Sequence, residues 1–83
     1  MPLFIDVHNL DNGVSMEDAA RAHRADVAHQ DAHGVTYQRY WVDETHGRIF
    51  CLVDAPDAEA ARTVHQEAHG LVADAIFPVQ EGD

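Results

Sequence analysis

The sequence predicts an α+β fold of the ferredoxin-like type, in which an antiparallel sheet carries two helices on one face. The hydrophobic pattern switches between a period of two, typical of strands, and a period near 3.6, typical of helices, in the order β-α-β-β-α-β. The right-handed crossover rule then gives the strand order 4-1-3-2. We expect a single domain over residues 1–83, because a chain of this length uses nearly all its apolar surface in one core.

The first half of the chain contains a predicted strand, a helix and a second strand. Residues 3–8 alternate between two sets of side chains, as in a strand with two different faces. Ser15 with an acid three residues later is typical of a helix N-cap, and the helical pattern continues to Gly34. Residues 35–43 are rich in β-forming side chains. The buried stripe of the helix would consist of Met16, Ala19, Ala20, His23 and Val27.

The second half repeats this pattern with a hairpin, a helix and a last strand. Residues 44–47 can close a hairpin from the second strand into the third, residues 48–54. Pro56 suits the first turn of the second helix, which ends at Gly70. Pro78 cannot donate to a strand ladder, so the last strand, residues 75–79, is expected at a sheet edge. The apolar stripe of this helix would consist of Ala61, Val64, Ala68 and Leu71.

The charge balance excludes several classes of partner. The chain has 15 Asp and Glu against 5 Arg and no Lys, a formal net charge of −10. Nucleic acids and anionic membranes need clustered basic residues, so we expect neither as a partner. The longest apolar run, residues 49–53, is far short of the roughly 20 residues that span a bilayer. The N-terminus lacks the basic region of a secretory signal, so we expect a cytoplasmic protein.

A single cysteine, Cys51, agrees with a reducing compartment, because no intramolecular disulfide can form. Large apolar residues flank it, so a buried, inert thiol is expected rather than a nucleophile.

The predicted sheet has one face that two short helices cannot cover. This face would carry residues such as Phe4 and some of Tyr37, Trp41, Ile49 and Val53. Because a large apolar surface marks an interaction site, we expect a second subunit to cover it, which makes the protein a homodimer.

Histidine is unusually frequent, because the 7 histidines outnumber the 5 lysine and arginine residues together. In the predicted topology, strand 1 ends, the hairpin turns, helix 1 begins and helix 2 ends at the same edge of the sheet. That edge receives His8, His46, His65 and His69, with His23 midway along helix 1. His29 and His33 go to the opposite end, where we expect solvated residues or weak surface ligands.

His65 and His69 form the best candidate metal pair, because i,i+4 spacing places two imidazoles on one helical face. Other donors have to complete the site, and Asp26 and Glu67 are also within reach. In the alternative interpretation, His65 and His69 cap the last carbonyls of helix 2. The expected ligand set is His8, His23, Glu44, His65 and His69.

Two other functions remain open. One is a small dimeric enzyme with an apolar pocket, in which His8 or His23 is the general base and Tyr40 or Trp41 shapes the cavity. The other is an interaction dimer whose histidines are incidental. Metal binding predicts an affinity that falls as the pH drops through about 6.5, because protonated imidazole cannot ligate.

Several segments together resemble a family of short bacterial proteins with nickel-binding, ferredoxin-like members. The resemblance covers nearly the whole chain, and its most specific part runs from Ala-Pro-Asp-Ala at 55–58 to His-x-x-x-His-Gly at 65–70. The other matching segments are Asp6-Val7-His8, Gly34-Val35, Tyr40-Trp41-Val42, Gly47 and Phe50-Cys51-Leu52. The resemblance implies a homodimer that binds Ni²⁺ through histidine and carboxylate ligands and has no established catalytic activity. Imidazole also suits Zn²⁺ and other divalent transition metals, so selectivity cannot be deduced from the residue types.

Overall fold

A computed structural model describes residues 2–82 and confirms the ferredoxin-like α+β arrangement. The elements follow in the expected order, with a 3₁₀ turn (Gln30–His33) after the first helix. The strands are β1 (Leu3–Asn9), β2 (Thr36–Asp43), β3 (Arg48–Asp54) and β4 (Ala75–Val79), and the helices are α1 (Met16–His29) and α2 (Ala58–Ala68). Neither helix of the described region has the length and apolar character to cross a membrane.

The four strands form one antiparallel sheet in the order β2-β3-β1-β4. This is the predicted order 4-1-3-2 viewed from the opposite side. β4 pairs only with β1, so Pro78 lies on an edge strand as expected. β1 is central and pairs on both sides, which places its side chains in the middle of the sheet.

Side-chain caps begin both helices. Ser15 Oγ accepts a hydrogen bond from the Asp18 backbone N–H at 3.1 Å, as the sequence predicts. Asp57 caps α2 through the Ala60 N–H at 2.8 Å, so Pro56 precedes the cap instead of standing in the first turn. The expectation for Pro56 was therefore wrong by two positions, because the aspartate supplies an acceptor that proline lacks.

The side chains on the open face of the sheet differ in part from those predicted. Phe4 is buried on the helix side, so its expected place on the open face was wrong. Of the four other candidates for that face, Tyr37, Ile49 and Val53 are also buried on the helix side. Trp41 does lie on the open face and is 49% exposed. The expectation failed because β1 directs polar residues, as well as Phe4, towards the helices, and hydrophobicity does not mark the buried side of such a strand.

The inner face of α1 is made of small and polar residues. Ala19 and Asp26 are buried, whereas Met16 and Val27, expected in the core, are exposed. Ala61 and Val64 of α2 are buried as predicted, whereas Leu71 follows the helix end and is exposed. The small contact residues leave room between helices and sheet for polar side chains.

Gly47 joins the β2–β3 hairpin to the loop after β1. Its φ is +66°, and its carbonyl accepts a 2.7 Å hydrogen bond from the Leu10 N–H. A Cβ atom at this position would lie 2.4 Å from the Leu10 carbonyl oxygen. Only glycine allows this close approach together with a left-handed conformation.

Candidate metal centre

Four buried polar or charged residues lie between the sheet and the helices. They are Asp6 and His8 of β1, Asp26 of α1 and His65 of α2. Ionisable residues are seldom fully buried unless they are paired, so such a cluster inside an 83-residue chain needs a structural or functional reason.

His65 is the centre of the cluster and contacts both carboxylates. Its Nδ1 lies 2.8 Å from Asp26 Oδ1, and its Nε2 lies 3.0 Å from Asp6 Oδ2. Burial disfavours the imidazolium, but the hydrogen bonds to Asp26 and Asp6 outweigh burial and raise the pKa of His65 to about 9. His65 is therefore protonated at neutral pH and donates an N–H to each carboxylate.

The carboxylates remain ionised inside the protein. Burial alone would raise the pKa of Asp6, but the hydrogen bond from His65 and the close His8 ring outweigh it and hold that pKa at about 2. The pKa of Asp26 is lowered in the same way, against burial, by His65 and His69. The interior thus contains two ionised carboxylates, and negative charge of this kind favours a nearby cation.

His8 completes a convergent set of donor atoms. Its Nε2 lies 3.3 Å from His65 Nε2 and 3.2 Å from Asp6 Oδ1. Within residues 2–82, Asp6 Oδ1 is buried without a hydrogen-bond partner, because its contact with His8 is poorly aligned. Asp6, His8, Cys51 and His65 each offer one ligand atom, and these atoms all lie within 4.8 Å of one another. We call these four residues the inner group.

Cys51 is buried, as the sequence predicts, but its sulfur also lies close to the other possible ligand atoms of the inner group. Burial and the Asp6 carboxylate raise the pKa of the thiol well above its usual range. Cys51 is therefore a neutral thiol at pH 7.

Asp26, His65 and His69 form a second group of possible ligands within 4.8 Å of one another. His69 Nε2 lies 3.0 Å from Asp26 Oδ1 without hydrogen-bond geometry, and no other described residue partners this buried atom. His69 Nδ1 accepts the Leu71 N–H at 3.0 Å. His65 and His69 do not cap the last carbonyls of α2, which was the alternative prediction. The ring of His65 contacts two carboxylates, and Nδ1 of His69 accepts an N–H.

A cavity of about 20 Å³ lies beside both groups. It has room for about one water molecule or ion. The histidine, aspartate and cysteine residues that line it are His8, His23, Asp26, Cys51, His65 and His69. His23 stacks on Tyr40 with ring centroids 4.7 Å apart, and burial lowers its pKa, so this ring is neutral at pH 7.

The structure brings together His8, His65 and His69 from the predicted ligand set, and His23 lines the same cavity. Glu44 lies elsewhere, where it accepts the Met16 N–H at the start of α1. It belongs to neither ligand group of the described chain.

Asp6 and Cys51 were missed as candidates. Asp6 lies on the same side of β1 as His8 and is paired with Cys51 in β3. A prediction of how β1 pairs with β3 could therefore have identified both residues.

The remaining histidines form pairs at the surface. His33 Nε2 lies 2.8 Å from Glu67 Oε1, so Glu67 is turned away from the two groups. His46 Nδ1 lies 2.8 Å from Asp43 Oδ2 at the hairpin. His29 donates to the Ala25 carbonyl at 2.9 Å. In the described region none of these three belongs to a group of three or more possible ligands.

Comparison with known proteins gives one family and one close structure. The profile of the family described as nickel responsive protein SCO4226-like matches residues 4–79. The crystal structure of SCO4226 from Streptomyces coelicolor A3(2) is 36% identical in sequence, with a TM-score of 0.90, and the match covers 98% of this chain and 99% of that one. No curated protein matches the chain.

Proposed function

The chain belongs to the SCO4226-like family of nickel responsive proteins, and from this premise we propose that it binds and sequesters a divalent transition metal ion, nickel in the cell. The ion is cargo, and the protein's role is to hold it without catalysing a reaction. We assign the binding position to the inner group, Asp6, His8, Cys51 and His65.

One observation carries this proposal: four potential ligand atoms, from the two strands β1 and β3 and the helix α2, converge in the interior. They offer two imidazole nitrogens, a carboxylate oxygen and a sulfur, a set that suits nickel, zinc or cobalt better than magnesium or calcium. Asp6 is ionised and has a buried oxygen without a hydrogen bond, and both features favour a cation there.

The proposal also accounts for Asp26. When His65 binds the ion through Nε2, its Nδ1–H still donates to Asp26 at 2.8 Å. Carboxylates commonly orient metal-binding histidines in this way and strengthen them as ligands. The ion replaces the Nε2 proton of His65, so uptake releases at least one proton.

We further propose that the protein is a homodimer joined by the open face of the sheet. The middle of this face in β1 and β3 is apolar and only partly buried, and it consists of Leu3, Ile5, Val7, Phe50 and Leu52; the polar Asn9, Arg48 and Asp54 lie at its ends. Trp41 and Phe77 extend the apolar surface and are about half exposed. A two-fold pairing would bury this surface against itself.

Native mass spectrometry of the untagged protein, titrated with Ni²⁺ and Zn²⁺, tests the metal proposal. His8→Ala removes one ligand of the inner group, whereas His46→Ala removes an exposed histidine that pairs with Asp43. We expect one inner-site ion per chain in the wild type and in His46→Ala, and its loss in His8→Ala. Equal uptake by all three proteins would exclude the inner group as the binding site.

A further inference from the structure

His69 lies at the boundary between the interior cavity and the protein surface. We infer that Asp26 and His69 form an outer cation position, through which the ion passes to reach the inner group. The inference rests on the proposed function and adds the route of loading to it.

The position of His69 supports this route. Its ring lines the cavity shared with the inner group and also lines a separate surface groove with Asp18, Arg21, Ala22 and Ala25. The side chain of His69 is 13% exposed, whereas those of Asp26 and His65 are almost completely buried. Asp18 also lines the groove but is paired with Arg21, so among the possible ligands of this groove His69 is the one that also lines the cavity next to Asp26.

The contact between His69 and Asp26 leaves the buried Nε2 atom of His69 without a hydrogen bond. The His69 Nε2 and Asp26 Oδ1 atoms are 3.0 Å apart but are not aligned as a hydrogen bond. A buried polar atom without a hydrogen bond destabilises the folded protein, because its lost hydration is not replaced. A cation held between the nitrogen and the carboxylate would satisfy both.

The same histidine can bind an ion only transiently. Because Nδ1 of His69 accepts the Leu71 N–H, the neutral ring carries its proton on Nε2. Binding through Nε2 moves that proton to Nδ1 and breaks the hydrogen bond with Leu71. Gly70, at a φ of +77°, lies between the two residues and can absorb the change. Departure of the ion restores the turn.

Asp26 connects the outer position to the inner one. Its Oδ1 lies 3.0 Å from His69 and 2.8 Å from Nδ1 of His65, so one carboxylate oxygen contacts both histidines. An ion held by Asp26 is therefore next to the imidazole that belongs to the inner group.

Stopped-flow mixing of the metal-free protein with Ni²⁺, followed by quenching of tyrosine and tryptophan fluorescence, tests this route. The proteins are the wild type, His69→Ala and the control His33→Ala, which removes a partly exposed histidine that pairs with Glu67. We expect His69→Ala to slow both association and dissociation about tenfold, the lower end of the roughly one to three decades over which association rates vary among variants of one interface. The dissociation constant should stay within about threefold, because a residue on the path affects both directions. His33→Ala should match the wild type.

Other outcomes overturn the inference. Unchanged or faster rates in His69→Ala would show that the ion does not use this residue. Weaker equilibrium binding with unchanged association would make His69 a ligand of the final site. If the wild type itself takes up no Ni²⁺, the proposed function fails and this inference fails with it, whereas normal uptake with unaltered rates in His69→Ala removes only the route. Amide hydrogen exchange at Leu71 gives an independent readout, because we expect it to accelerate while Ni²⁺ exchanges.

Discussion

The Nε2 atom of His65 lies 3.0 Å from Oδ2 of Asp6, although the two residues are 59 positions apart in the sequence. The contact joins α2 to the central strand of the sheet through a buried pair of charges. Paired charges in an interior are weak evidence for stability, because desolvation offsets much of their attraction. Their convergence with His8 and Cys51 is better explained by a bound cation.

The stability of the metal-free protein should fall as the pH rises from 6.5 to 9. The folded protein keeps the pKa of His65 at about 9, against 6.5 for an ordinary histidine, so in this window the folded state binds more protons than the unfolded state. The full loss is about 3 kcal/mol for His65. Denaturant unfolding at a series of pH values measures this loss. A flat or rising profile would contradict a protonated His65.

Metal affinity should rise with pH over the same range. The sequence alone predicts the change near pH 6.5, but the Asp26 and Asp6 contacts raise the pKa of His65 to about 9 and extend the change to that value. Release of the His65 proton alone makes the apparent affinity increase about tenfold per pH unit below pH 9, and release of the Cys51 proton as well makes it increase about a hundredfold. Competition titrations with a chelating dye at pH 7, 8 and 9 check this. Equal affinities at the three values would show that the ion does not displace the His65 proton.

Gly47→Ala should destabilise the protein far more than Gly13→Ala. Both glycines have a positive φ, but an added Cβ meets the Leu10 carbonyl only at Gly47, whereas the space around Gly13 is open. The strain common to both positions is about 1 kcal/mol, and the clash adds about 1–3 kcal/mol at Gly47. Thermal unfolding of the two variants measures the difference, and equal melting temperatures would contradict the close approach of hairpin and loop.

Trp41→Glu should convert the homodimer into a monomer. Trp41 lies on the open sheet face, so a glutamate there places a charge within the proposed interface. Val27→Glu is the control, because Val27 is exposed to a similar degree on α1, away from that face. Sedimentation equilibrium distinguishes the outcomes. A monomeric wild type, or a Trp41→Glu variant that remains dimeric, would exclude this interface.

The fold could be predicted because its signals are local. The cap at Ser15, the hairpin at residues 44–47 and the edge position of Pro78 each depend on neighbouring residues, and all three agree with the structure. The choice of buried face depends on contacts between distant elements. Phe4 was assigned to the wrong face because Asp6 and His8, which share its side of β1, are buried against His65.

The site shows the same limit. The i,i+4 spacing of His65 and His69 predicted their association, and both lie near Asp26. The roles of Asp6 and Cys51 come from the register of β1 against β3, which sequence spacing does not define. Glu44 was a reasonable candidate by topology, but it caps the first turn of α1 through the Met16 N–H.

The most direct test of the account is a crystal structure of the nickel-loaded protein with an anomalous map recorded at the nickel edge. The account requires a peak between Asp6, His8, Cys51 and His65, at about 2.0–2.3 Å from their donor atoms, the range for bonds of such ions to nitrogen, oxygen and sulfur. Peaks confined to exposed histidines such as His33 and His46 would contradict it. In that case the buried cluster would be a structural network of charges, and nickel would bind at the surface.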